Sequence, residues 1–266
     1  VLFRSLSHWQ LQSHGSNQFR LLYQRLHKAL DSAVKRIQRA LDKQQIELLR
    51  ARDFEQYRQT ADTILACLHQ IPKGAGHITL PNIYTGEFQD ISLDPALSPS
   101  ANATFYYKKY GKYKNAAAKV QKQIDSNSSH LGYLQSLDYA LESAATLEDL
   151  QEVLAEAEES GIIRRQRKIP GPSRITDNYL SFSTDLGTTV LVGKNNRQNE
   201  RLTLQKAEKD HYWFHCRYSP GSHVILCTSN PTESELTLAA GLAAWHSKER
   251  ESAKVEVVWT QVKNVK

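Results

Sequence analysis

The sequence contains no methionine, and its opening residues, Val1-Leu2-Phe3-Arg4-Ser5, lack the pattern of a signal peptide. The expectation is a fragment whose natural N-terminus lies upstream. No apolar run approaches the roughly 18–20 residues needed to span a bilayer. Cysteine is scarce: Cys67, Cys216 and Cys227 form no CxxC pair and no even framework, so they read as reduced thiols of a cytoplasmic protein. There is no GxxxxGK[ST] or GxGxxG phosphate loop, no GxSxG elbow and no HExxH helix. A Cys–His nucleophile pair is imaginable, but His215 and Cys216 are adjacent in a strand-like run and should face opposite sides of a sheet, which argues against it. His215, His223 and Cys227 lack the paired spacing of structural zinc. These absences lead to the expectation of no catalytic residue, no metal, no cofactor and no small-molecule substrate.

The charged residues are unevenly placed. The net charge of +6 is a weak hint of an anionic partner, and its distribution says more. Residues 1–60 carry eleven bases against five acids, and residues 106–124 carry six lysines and no acid. Residues 125–160 carry nine acids and no base, and residues 161–175 carry five bases and no acid. Such blocks describe either solvated helix faces or localised anion-binding surfaces. With 40% hydrophobic residues the chain is apolar enough to fold.

Periodicity predicts an α+β chain. Residues 17–60 read as one long helix. Leu30, Val34, Ile37, Leu41, Gln44, Leu48 and Ala51 follow alternating spacings of four and three, which is a heptad seam. A second seam runs through Ala117, Val120, Ile124, Asn127, Leu131, Leu134, Asp138, Leu141 and Ala145. Two such helices, joined by a folded insert, predict an antiparallel coiled-coil hairpin with arms of roughly 45–60 Å. The insert, residues 71–104, holds seven Pro and Gly breakers between 72 and 99, and two strand-like pieces at 77–80 and 87–93, which predict a small β tip. Thr146, with Asp149 three residues on, predicts the N-cap of a short helix ending at Gly161. The expected domains are therefore a coiled-coil hairpin over 1–160, a basic linker over 161–172 and a compact α+β mixed-sheet domain over 173–266. In the last, strands are expected at 180–182, 188–192, 212–215, 223–226 and 254–260, and helices at 198–206 and 232–249. Trp213 and Phe214 are expected to anchor opposite faces of one strand, with Trp213 buried.

Three constellations suit polyanion binding. In Phe105-Tyr-Tyr-Lys-Lys-Tyr-Gly-Lys-Tyr-Lys114, the ammonium groups of Lys108, Lys109, Lys112 and Lys114 can neutralise phosphates, and the tyrosines can stack on bases or pack inward. In the run from Gly193 to Glu200, Lys194 and Arg197 supply charge, while the amides of Asn195, Asn196 and Asn199 can donate and accept; a tight turn after a strand accounts for the same residues. In the third, Asp210–His215 with Pro220–His223, His215 and His223 can line one surface, with Arg217 as a further candidate, although a structural role suits each histidine better taken singly.

Taken together, Gly193-Lys-Asn-Asn-Arg-Gln-Asn-Glu-Arg-Leu-Thr203, Asp210-His-Tyr-Trp-Phe-His215 and Pro220-Gly-Ser-His-Val-Ile225 resemble the C-terminal signature of the NFACT family. His211-Tyr212 stands where the family usually has one residue. Residues 238–247 and 255–266 resemble its later helix and closing strand, and 93–103 with 107–114 resemble its coiled-coil and middle region. The resemblance implies the RNA-binding part of a ribosome quality-control factor. Such a factor binds obstructed large ribosomal subunits, through rRNA and ribosomal proteins, and recruits tRNA for template-free alanine tailing of stalled chains. The resemblance implies that the family's Asp-Arg pair tied to tailing is expected in a domain outside this sequence, and Arg52-Asp53 has the wrong order to replace it. The resemblance implies no membrane partner. Some relatives carry a fibronectin-binding label, which leaves a surface adhesin as the alternative.

Overall fold

The structure, a computed structural model, describes residues 17–51, 53–164 and 178–265. The chain divides into two compact units, one of residues 37–129 and one made of the segments up to Arg36 and from His130 onward. Helices α1 (Asn17–Ala51) and α3 (Pro99–Ser143) each contribute to both.

In the unit of residues 37–129, α1 ends at Ala51 and α2 (Phe54–Ala66) begins three residues on, so the expected continuous helix to residue 60 is broken. Asp53 makes no side-chain cap bond there. Gln44 meets Asn127 at 3.0 Å, Phe54 meets Tyr110 with ring centres 5.8 Å apart, and Asp62 accepts from the Tyr107 hydroxyl. Residue numbers rise on one side as they fall on the other, so the helices run antiparallel. Ile37, Ala117 and Val120 are buried and Gln44 and Asn127 half-buried, as the heptad spacing requires. Strands β1 (His77–Pro81) and β2 (Phe88–Ser92) form the expected antiparallel hairpin. Its inward residues Leu80 and Ile91 join Ile64, Cys67, Ile71, Leu93 and Ala103 in one core. The Tyr106 hydroxyl donates to the Ser92 carbonyl at 2.7 Å, tying α3 to the hairpin.

In the other unit, α4 (Leu147–Glu159) starts with the expected capping box: Thr146 accepts from the Asp149 N–H, and the Asp149 carboxylate accepts from the Thr146 N–H. The expected linker at 161–172 lies mostly outside the described residues. Strands β3 (Leu180–Ser183), β4 (Thr189–Val192), β5 (Tyr212–Cys216), β6 (Val224–Leu226) and β7 (Val257–Gln261) form a sheet ordered β3-β4-β6-β5-β7. Every pair in it is antiparallel, so the α+β class holds while the mixed sheet becomes an antiparallel one. The turns and crossings between neighbours reverse direction each time, and no βαβ crossover joins adjacent strands.

Helix α6 (Glu233–Trp245) covers one sheet face, burying Ala239 and Ala243 against Val190, Val192, Phe214, Val224 and Leu226. On the opposite face Leu202, Ile225 and Val262 are packed by Trp213, Leu191 and Tyr179. Trp213 and Phe214 do point to opposite faces. Phe214 is fully buried, whereas Trp213 is only half-buried, which corrects the expected burial of the indole. The face without α6 has a thinner cover: the short helix α5 (Asn196–Arg201) followed by one π-helical stretch, Leu202–Lys206.

Candidate nucleic-acid interface

The run from Gly193 to Asn199 leaves β4 and enters α5, with Asn195 as N-cap accepting from the Gln198 N–H at 2.9 Å. Its side chains turn toward α4 rather than toward solvent. Lys194 bridges to Asp149 at 2.9 Å. The Asn195 amide donates to Glu152 at 2.5 Å, and Gln198 reaches the same carboxylate at 2.9 Å. Asn196 donates to Glu156 and Ser136, both at 2.9 Å, and Arg197 pairs with Glu159. The acceptors recur at spacings of three, four and three, which places them on one face of α4. Four consecutive residues thus meet four carboxylates in order.

This arrangement is a latch between α4 and the sheet, and it engages Lys194, Asn195, Asn196 and Arg197, four of the residues expected to meet RNA. Asn195 and Asn199 are 5% and 6% exposed. Burial opposes ionisation of Asp149, but Lys194 and Thr146 outweigh it and hold the carboxyl below its usual range. Burial pushes the Glu156 carboxyl up, against the hydrogen bond from Asn196. The sequence signal for α4's part was present in the acids at 149, 152, 156 and 159, but nothing local indicated which polar run they would meet.

Asn199 joins this run to the Pro220–His223 turn. Its amide donates to the Gly221 carbonyl at 3.2 Å, and its Oδ1 accepts from the His223 N–H at 2.9 Å. The His223 ring lies 2.8 Å from Thr203 Oγ1 through Nδ1, and its centre is 5.3 Å from that of His215 and 5.1 Å from that of Trp213. Burial, then the neighbouring His215, lower the His223 pKa to about 4, and burial lowers that of His215. Burial thus disfavours the charged form of both rings, which pack against each other and against Trp213. The Trp213 Nε1–H beside them is buried without a hydrogen-bond partner. His215 and Cys216 do face opposite sides, and Cys216 is buried.

A pH dependence follows. Unfolded His223 binds its proton near pH 6.5, and the folded ring resists it until about pH 4. The contribution is complete above pH 6.5 and is lost as pH falls toward 4, because the unfolded state takes up the proton first. The loss should reach at most about 3 kcal/mol. Urea melts between pH 7.5 and 4.5 should show it, and His223→Gln should flatten the curve in that window. An equally steep curve for the variant would assign the acid sensitivity elsewhere.

Arg217 remains at the surface. It pairs with Glu256 at 2.7 Å and lies 4.6 Å from the Tyr218 ring centre. Tyr218, which the sequence reading did not single out, is 87% exposed at φ +60°. Positive φ in a non-glycine residue marks a constrained turn. Glu208, Asp210 and His211 bring possible metal-ligand atoms within 4.8 Å of one another, on a largely exposed loop. A cavity of about 780 Å³ opens beside the latch. Asp138 and Glu142 oppose Lys248 and Arg250 in its wall, so its charge selects no ligand class.

The lysines of residues 105–114 separate into two kinds. Lys109 folds back over the rings of Phe105, Tyr106 and Tyr57 at 4.6, 5.3 and 5.7 Å, and Lys114 lies 5.2 Å from the Tyr110 ring centre. Lys108 and Lys112 are exposed, and neither has an acidic partner among the described residues.

Comparison with known proteins agrees with the signature around the latch. Residues 9–174 match the NFACT N-terminal and middle domains, and residues 178–266 match the NFACT protein RNA binding domain. The chain belongs to the NFACT family. It is 38% identical over 240 residues to the Rqc2 homolog RqcH of Streptococcus suis strain 05ZYH33, covering 90% of this chain and 43% of that protein. It is 36% identical over 223 residues to the Rqc2 homolog RqcH of Bacillus subtilis strain 168, covering 81% and 38%. This NFACT chain thus spans less than half the length of these relatives. It is also similar to a solved structure described as the C-terminal of the fibronectin/fibrinogen-binding protein from Streptococcus suis. The TM-score is 0.73 and the identity 29%, covering 93% of this chain and 86% of that one. Among the described residues no helix is long and apolar enough to cross a membrane.

Proposed function

We propose that this chain is the RNA- and ribosome-binding part of a ribosome quality-control factor that acts in the cytoplasm without catalysing chemistry itself. On this reading residues 1–160 form the helical arm and middle region, and 173–266 the RNA-binding domain. The full protein would bind an obstructed large ribosomal subunit and recruit tRNA for alanine tailing of the stalled chain. The observation that carries the reading is similarity to RqcH over 90% of the chain, extending through the RNA-binding domain. The exposed Lys108 and Lys112 supply a surface suited to phosphates.

Co-sedimentation with separated ribosomal subunits tests it. The protein should travel with the large subunit and dissociate steeply with salt as counterions are released. Lys108→Gln with Lys112→Gln should weaken binding roughly five- to thirtyfold, on a scale of about 0.5–1 kcal/mol or more per contact. Lys109→Gln with Lys114→Gln should weaken it far less, because those ammonium groups lie on tyrosine and phenylalanine rings. Equal effects of the two pairs would remove the distinction.

The fibronectin/fibrinogen-binding description of the Streptococcus suis neighbour favours a second reading, a surface adhesin. Saturable binding to immobilised fibronectin, with no retention on ribosomal subunits, would select it.

A further inference from the structure

We infer that the outer face of α3 carries a phosphate-tracking stripe made of Lys108, Lys112, Lys119 and Lys122, which follows one backbone of structured RNA. The inference rests on the RNA-binding reading above and extends it to Lys119 and Lys122.

The helix periodicity places the four together. At about 100° per residue, they fall within an arc of about 80°, along roughly 21 Å of helix axis. The seam residues Ala117, Val120, Ile124 and Asn127 lie on average some 135° around the same helix. Ala117 and Val120 are buried, and all four lysines are exposed. The stripe therefore points away from the packed side of α3. The remaining two lysines of this segment, Lys109 and Lys114, stand outside the arc and rest on aromatic rings. Geometry thus separates four ammonium groups on one arc from two that lie against rings, of which Lys114 is also exposed.

The surroundings identify the partner. From Pro99 to Ile124 the helix contains no acidic residue, so no carboxylate within that stretch competes for the lysines. The positions among them are small: Gly111, Asn115, Ala116 and Ala118. A Cβ added at Gly111 would meet nothing within 4 Å, so the backbone there is openly accessible. A polyanion can approach closely between lysines that extend past it. A protein interface of this size would hold an apolar or aromatic centre and few lysines. Between Lys108 and Lys122 this face has no apolar side chain larger than alanine. Lysine is a point charge on a flexible stem, suited to phosphates without reading bases. These features fit an RNA backbone better than an acidic protein.

The test uses the whole 266-residue chain and a fluorescein-labelled 20-base-pair RNA hairpin, titrated at several salt concentrations. Glutamine keeps nearly the helix propensity of lysine, and circular dichroism melts check that each variant is folded. Lys119→Gln with Lys122→Gln should lower affinity about five- to thirtyfold at 0.1 M salt and reduce the slope of log K against log salt by about 1–2. Lys119→Arg with Lys122→Arg should restore both. If the wild-type chain binds the hairpin and the Gln pair binds it with the same affinity and slope, the stripe is wrong while the RNA-binding reading stands. If the wild-type chain does not bind the hairpin, that reading fails for this chain, and the stripe with it. Equal competition by poly-glutamate, with the same dependence on these lysines, would show an unselective anion face and overturn the assignment to RNA.

Discussion

Phe214→Ala is expected to destabilise the sheet domain by about 3–5 kcal/mol, the usual cost of removing a large aromatic from a closed core. Phe214 is fully buried under α6, among Val190, Val192, Val224, Leu226, Ala239 and Ala243. The cavity would be walled by strands and by a helix whose fully buried residues there, Ala239 and Ala243, are too small to fill it. Trp213→Ala should cost distinctly less, although tryptophan is the larger residue. Its ring is half-buried, and water already reaches part of it. Thermal or urea melts of the two variants decide the matter. A Trp213 variant that melts at or below the Phe214 variant would place the energetic centre of the domain on the other face.

Gly193→Ala should be nearly as damaging, at about 3 kcal/mol or more, for a different reason. A Cβ at this position would stand 2.3 Å from Asn199 Oδ1 and 3.0 Å from the Asn199 backbone nitrogen. The backbone atom belongs to α5 and has little room to shift. The side chain can rotate away only by abandoning the His223 N–H and the Gly221 carbonyl. Each buried polar group left without a partner costs roughly 1–3 kcal/mol. Asn199→Ala removes the same two bonds without the clash, so it should cost about 2–3 kcal/mol. The two changes share a cause, and the double variant should be far less destabilised than the sum of the singles. Additive losses in that cycle would show that Gly193 and Asn199 act separately.

Much of the architecture was readable locally. The four-three spacing of Leu30, Val34 and Ile37 identifies a helix seam because it matches helical geometry whatever surrounds it. Thr146 and Asp149 declare a helix start because both bonds of the capping box lie within four residues. The Pro- and Gly-rich insert with its two short strands followed from the same kind of signal. The break between α1 and α2 was not readable, since no Pro or Gly marks it. Strand alternation assigns Trp213 a face but does not say how thickly that face is covered, and the ring is only half-buried.

The candidate site divides along the same line. Lysines without nearby acids were visible in the sequence, and so was the polar run after β4. The i,i+4 pairs Phe105–Lys109 and Tyr110–Lys114 lie within one helix, but the sequence could not show that Lys109 also meets the ring of Tyr57, which belongs to another helix. Nor could it show that Lys194, Asn195, Asn196 and Arg197 are engaged by α4, whose carboxylates lie some forty residues earlier. Charge and amide content determine what a side chain can bind. Tertiary packing determines whether that capacity is already used, because an intramolecular carboxylate held in place competes at a far higher effective concentration than any free phosphate. The sequence by itself therefore determined the seams, the caps, the strand faces and the family signature. Only the folded structure decided that Lys194, Asn195, Asn196, Arg197 and Gln198 hold α4 to the sheet, while Lys108 and Lys112 stay exposed on α3.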